Sequence, residues 1–225
     1  MGRWIIKYIK YLLDCILSIV YCGEYKCTVC GAYVEEINIC DECRKKIKFC
    51  KDIIRIERAN SEIICYSVSY YSNIMAKLIL RLKYKSDFAC ADIIGSFMVK
   101  VIEENAIKFE GVTFVPMTKK AVKKRGYNQS RILAKVISEK LHVELIDCLG
   151  KVKETKDQIG LDGESRWKNL SSSFKIKNPN IILNKNILII DDVITTGATS
   201  YYCAQEILNN GAKKVSVLTA AKTSI

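Results

Sequence analysis

One histidine and two prolines are all that 225 residues contain. His142 lies far along the chain from the cysteine-rich start, so a histidine metal ligand is not expected. With so little proline and no Gly/Ser-rich stretch there is no linker, and the parts of the chain should dock closely. Long apolar runs are missing too. Between Trp4 and Val20 the sequence is broken by Lys7, Lys10, Asp14 and Ser18, and the longest charge-free run there is Cys15 to Gly23. That is far short of the ~20 residues needed to cross a bilayer, so no transmembrane segment is expected. The four breaks fall on one helical stripe, which makes residues 1–22 an amphipathic helix docked on the rest of the protein. A helix lying in a membrane surface is the alternative. A signal peptide is not expected, because charges interrupt the apolar region and no small-residue cleavage site follows.

Acidic residues are the minority, 24 against 36 basic, for a net charge of +12. Such a surplus favours polyanionic partners, such as nucleic acid, phosphorylated ligands or an anionic membrane face. A solvated lysine-rich surface gives the same count.

Cysteine is abundant. Eleven residues, an odd number with paired C-x-x-C spacing, do not suit a disulfide scaffold. They suit a reducing cytoplasm. Cys15, Cys22, Cys65, Cys90, Cys148 and Cys203 sit in apolar surroundings and read as small buried hydrophobes. Cys27-x-x-Cys30 and Cys40-x-x-Cys43, nine residues apart, can give four thiolates to one tetrahedral Zn²⁺, with Gly31 suiting the first turn. With all four ligands from protein, that zinc would be structural. Free buried thiols or a redox pair are the alternatives.

The remaining pattern is α/β. Strands are expected over Glu62 to Tyr70, Gly111 to Pro116, Val143 to Ile146, Ile187 to Ile190 and Val215 to Leu218. Between them fall helices: one capped by Asn73, then Ala91 to Ile107, one after a basic loop over Lys119 to Arg125, and Thr199 to Asn209. Residues 150–163 read as a long polar loop, either a lid or plain surface. Alternation predicts a mainly parallel sheet with ligands at the carboxyl ends of its strands. The division is a helix over 1–22, a zinc ribbon over 23–50 and an α/β domain over 51–225.

The sharpest motif is the buried strand Ile187 to Ile190 followed by Asp191-Asp192, Val193-Ile194, Thr195-Thr196-Gly197-Ala198-Thr199 and a helix. Gly197 allows a sharp turn and close backbone approach. Backbone N–H groups opening a helix make an anion site, and the threonines add hydroxyl donors. The two carboxylates can accept hydrogen bonds from sugar hydroxyls. This segment resembles the phosphoribosyl pyrophosphate (PRPP) motif of type I phosphoribosyltransferases. The resemblance implies that Asp191 and Asp192 hold the ribose hydroxyls, that residues 195–199 wrap the 5′-phosphate, and that Mg²⁺ accompanies PRPP. Val115-Pro116, Lys124-Arg-Gly-Tyr-Asn-Gln129, Leu82-Lys-Tyr-Lys85, Thr155-x-x-Gln158-x-x-Leu161 and Arg166-x-x-Asn169 are similar to segments of the ComF family of competence proteins. That resemblance covers nearly the whole chain. It implies a type I phosphoribosyltransferase-like sheet with an N-terminal four-cysteine zinc ribbon, and a pyrophosphate side formed by Lys119, Arg125, Asn128, Thr155, Gln158 and Arg166. It also implies a part in handling single-stranded DNA during natural transformation. The family often has a second proline where Thr118 stands.

Lys119, Lys120, Lys123, Lys124 and Arg125 could neutralise pyrophosphate or strand phosphates, or simply face water. Tyr66, Tyr70, Tyr71 and Tyr84 could stack on bases, although core positions are commoner for such residues. Three function classes follow: a PRPP-binding DNA-handling protein, an active phosphoribosyltransferase with an unknown acceptor, and a membrane-peripheral scaffold. No residue stands out as an acceptor-specific base.

Overall fold

The structure is a computed structural model, and it describes residues 26–34, 39–58, 61–152, 167, 170 and 172–223. The expected helix over 1–22, and Thr155, Gln158, Leu161, Arg166 and Asn169, lie outside the described residues.

Six strands form one sheet. In chain order they are β1 (Ile54–Arg58), β2 (Ser61–Tyr70), β3 (Gly111–Phe114), β4 (Glu144–Leu145), β7 (Asn186–Ile194) and β8 (Lys214–Lys222). The spatial order is β1-β2-β8-β7-β3-β4, parallel throughout except for the antiparallel β1–β2 hairpin. β5 (Leu149–Lys151) and β6 (Phe174–Ile176) make a separate antiparallel pair. The mostly parallel α/β architecture is therefore as the periodicity predicts. The apolar run of β7 suits burial on both faces: Leu188 and Ile190 enter one core, Ile187 and Ile189 the other.

The first core lies under α2 (Asn73–Tyr84), α3 (Ala89–Glu104) and α5 (Gln129–Leu141). α3 and α5 approach closely because Gly95 faces Val136; a Cβ there would stand 2.4 Å from Val136 Cγ1. The second core lies under α6 (Ala198–Asn209) and the β5–β6 pair. Cys65, Cys90, Cys148 and Cys203 are fully buried in these cores, as their apolar neighbours suggest.

Several boundaries differ from the sequence reading. Residues 119–125 form a helix, α4 (Lys119–Arg125), instead of a basic loop. The Thr118 side chain accepts from the Ala121 N–H to start it, and Gly126 at φ +90° ends it. Asn73 is the first helical residue of α2, and Ser72 holds the cap position without a side-chain cap bond. β1 falls at the start of the 51–225 domain, before the first strand expected from sequence. Its alternation puts Ile54 and Ile56 inward while Arg55 and Glu57 point to water, and Arg55 pairs with Glu62 at 2.6 Å. The strand pair β5–β6 takes up the first residues of the expected 150–163 loop.

The cysteine-rich segment joins the first core through Cys27, Cys43 and Ile47. It is tied to β2 by a bridge between Phe49 and Ser69, and Phe49 packs edge-on against Phe97 at 5.4 Å. No helix among the described residues is long and apolar enough to cross a membrane.

Candidate functional site

The carboxyl end of β7 carries the acidic pair. Asp191 and Asp192 are 8% and 5% exposed, so neither carboxylate is a casual surface group. Asp191 Oδ1 accepts from Ser130 Oγ at 2.8 Å and from the Asp192 N–H at 2.9 Å. Burial, and then the Asp192 carboxylate, push Asp191 up to about 7. Asp192 Oδ2 pairs with Lys83 Nζ at 2.8 Å, off the angle of a hydrogen bond, so that oxygen accepts none among the described groups. Burial works against the Lys83 charge, but Asp192 and then Asp191 outweigh it and hold its pKa above the ordinary lysine value. Lys83 and Ser130 belong to the site and were not singled out as site residues in sequence. The signal for Lys83 was the Leu82-Lys-Tyr-Lys85 segment; Ser130 had none.

Past β7 the chain turns at Thr195, Thr196 and Gly197 and enters α6 with Ala198 and Thr199. Gly197 has φ +78°, and a Cβ on it would stand 2.6 Å from Ile56 Cδ1, so both conformation and space demand glycine. The Ala198 N–H points to Thr196 Oγ1 at 3.5 Å. Residues 194–197 line a cleft of about 600 Å³ with Arg55, Tyr70 and Lys222, at the carboxyl ends of β2, β7 and β8.

On the other side of the acidic pair, Lys119 and Asn128 line a second cleft of about 400 Å³ with Arg131, Lys151 and Lys177. Asn128 is fixed by the fold. Its Oδ1 accepts from the Ser130 and Arg131 N–H groups to cap α5, and its Nδ2 donates to Val115 O at 2.9 Å. Arg125 ends α4, donates to Gln129 Oε1 and lies 5.6 Å from the Tyr84 ring centre. Of the residues picked in sequence, Thr195, Thr196 and Gly197 thus line one cleft and Lys119 and Asn128 the other, while Asp191, Asp192, Ala198, Thr199 and Arg125 line neither.

The cysteine cluster is separate. The sulfurs of Cys27, Cys30, Cys40 and Cys43 all lie within 4.8 Å of one another, and Cys30 and Cys40 are 3.6 Å apart. A tetrahedral ion with ~2.3 Å bonds to sulfur would set neighbouring sulfurs ~3.8 Å apart, so the four could bind a metal such as zinc. The first knuckle closes through the Gly31 N–H to Cys27 O at 2.8 Å, with Gly31 at φ +79°. The second closes where Cys40 caps α1 (Asp41–Lys45), its sulfur accepting from the Cys43 N–H at 3.4 Å. Burial opposes ionisation of Cys27, yet N–H groups of Cys40, Cys30 and Val29 bring it to about 6, while burial and its sulfur neighbours push Cys43 to about 12.

Fold and site together define a mixed α/β protein with an acidic pair and a glycine turn at the carboxyl edge of a mostly parallel sheet, and a cluster of four cysteines beside it. No family model matches the chain. It is 32% identical over 113 residues to the DNA utilization protein YhgH of Escherichia coli, covering 50% of this chain and 49% of that protein. It is 23% identical to competence protein F of Haemophilus influenzae, covering 87% and 90%, and 28% identical to competence protein ComFC of Bacillus subtilis, covering 88% and 78%. The match thus spans about half the length of the YhgH protein but most of the two competence proteins. Similar solved structures include an adenine phosphoribosyltransferase from Thermoanaerobacter pseudethanolicus, at 14% identity and TM-score 0.41 over 81% of this chain and 98% of that one. Over most of its length the chain is thus similar to proteins named competence protein F and competence protein ComFC.

Proposed function

We propose that the protein binds PRPP with Mg²⁺ at residues 187–199 and acts in the uptake and handling of single-stranded DNA. The observation that carries the PRPP reading is the buried Asp191–Asp192 pair at a strand end, followed at once by a positive-φ glycine opening a helix. In this reading Asp192, which Lys83 Nζ approaches to 2.8 Å, accepts from ribose hydroxyls, while residues 195–199 and the positive end of α6 hold the phosphate. Mg²⁺ would neutralise part of the pyrophosphate charge. Lys119 and Arg125 would face that pyrophosphate, with Thr155, Gln158 and Arg166 as further candidates. Asn128 would act by fixing the start of α5, since its amide is already engaged. The DNA reading is supported by the names of the relatives and by the +12 charge. We assign one structural zinc to the four cysteines and place the protein in a reducing cytoplasm, consistent with the nine free thiols among the described residues. In this reading the 23–50 segment acts as a ribbon attached to the 51–225 domain.

Calorimetry with PRPP and Mg²⁺ tests the site. Asp192→Asn should weaken binding by ~1.5–3 kcal/mol, the scale of a hydrogen bond to a charged group. Gly197→Val should do more, through the clash with Ile56 and the strained φ. Equal affinity in all three proteins would overturn the assignment. Pyrophosphate release with a panel of bases would show transferase activity.

A further inference from the structure

The cleft beside Asn128 carries one sign of charge on both banks. Lys119 and Arg131, from α4 and α5, stand on one side; Lys151 and Lys177, from the β5–β6 hairpin and its exit, stand on the other. The hairpin adds Lys175, which is exposed on β6. Asp147 is the one acidic residue among those lining the cleft, and it is taken up by Lys177 at 2.5 Å. Nothing in the sequence links the two banks, because they meet only through the sheet.

A second feature adjoins this cleft. Tyr127 lines it, and Phe88 packs edge-on against Tyr127 at 5.3 Å. Phe88 is 49% exposed and nearby Tyr84 is 71% exposed, with the Arg125 guanidinium 5.6 Å from the Tyr84 ring centre. Large rings left in water beside a cationic cleft are what a chain of alternating phosphates and flat bases would use. Lysines bind the backbone without regard to sequence, and aromatic faces take unpaired bases.

We infer that this cleft and its aromatic mouth form a track for one unpaired nucleic-acid strand, with phosphates between the two lysine banks and bases on Tyr84 and Phe88. The inference rests on the DNA reading above and gives it a place on the molecule. A duplex suits the surface poorly. Its bases are paired and stacked out of reach of the two rings, and its grooves call for a protruding helix or ribbon instead of a hollow. An acidic protein segment would satisfy the lysines but has no flat bases to offer the rings.

Fluorescence anisotropy of the full chain with a labelled 12-nucleotide mixed-sequence strand, and with its duplex, tests this. The double variant Lys175→Glu/Lys177→Glu should weaken strand binding by tenfold or more and lessen its salt dependence. Tyr84→Ala/Phe88→Ala should weaken it by about tenfold (~1.4 kcal/mol) while leaving the salt slope unchanged. These four residues are solvent-facing, so thermal melts should show both variants still folded, with cooperative transitions. Wild type should prefer the strand to the duplex. If wild type binds the strand and neither double variant differs from it, the track is wrong although the DNA reading stands. If wild type binds no strand even at low salt, the DNA reading itself fails. Displacement by polyglutamate, together with no effect of the aromatic variant, would show a surface for acidic protein and overturn the proposal.

Discussion

Replacing Lys83 with methionine keeps most of the side chain's stem and deletes its charge, which isolates what that charge does for the acidic pair. In the intact protein Lys83, itself mostly buried, sits 2.8 Å from the buried Asp192 carboxylate. Even with the cation present, Asp191 stands at about 7 against an ordinary 3.8. A carboxyl whose folded pKa is raised keeps a proton that the unfolded chain has already released. It therefore lowers stability as pH rises from 3.8 to about 7, and the full cost is present above that. Without Lys83 the Asp191 carboxyl loses a charge that lowers its pKa, so the cost grows and extends to higher pH. Leaving a buried charge without its partner costs ~3–5 kcal/mol. Because the site lies at the edge of the sheet, we expect the lower figure, ~3 kcal/mol at pH 8. At pH 5 the Asp191 carboxyl should be protonated and the pair should carry less charge, so the loss should shrink toward ~1 kcal/mol, that of an imperfectly satisfied polar group. Urea denaturation at the two pH values reads this as a midpoint shift of ~1 M or more at pH 8 and a small one at pH 5, with an unchanged m-value. An equal loss at both pH values, or none at pH 8, would refute the account of Lys83 as the countercharge.

Two further expectations concern the metal and the basic helix. Purified protein should contain about one zinc per chain; Cys40→Ser should lose it and lower thermal stability, whereas metal-free protein of unaltered stability would count against a structural metal. Strand binding that uses about four phosphates should show a log–log salt slope near −3, and Lys119→Ala/Lys120→Ala/Lys123→Ala should flatten that slope and weaken binding to all sequences alike; an unchanged slope would mean that α4 faces solvent only.

Local pattern was enough for much of this protein. The unbroken apolar run of β7 meant a doubly buried strand wherever it lay, and paired C-x-x-C spacing meant two knuckles able to face each other. Gly197 marked its own turn, because φ near +78° strains any other residue. These features depend on neighbours in the chain, so the chain displays them. α4 was missed because its start depends on one capping hydroxyl, Thr118, within a run of lysines that reads equally as loop. β1 was missed because its two isoleucines gain meaning only against β2 and the loop at Gly197. The pairing of Asp192 with Lys83, far apart in the chain, and of Asp191 with Ser130 could not be read locally at all. They arise where the last turn of α2 and the first turn of α5 meet the carboxyl edge of one sheet. The same convergence sets the hairpin lysines opposite Lys119 and Arg131. Residue types and turns were decided by the sequence; which charges share a buried space was decided by the packing of helices on the sheet, since burial and Coulomb energies depend on distance through space and not along the chain.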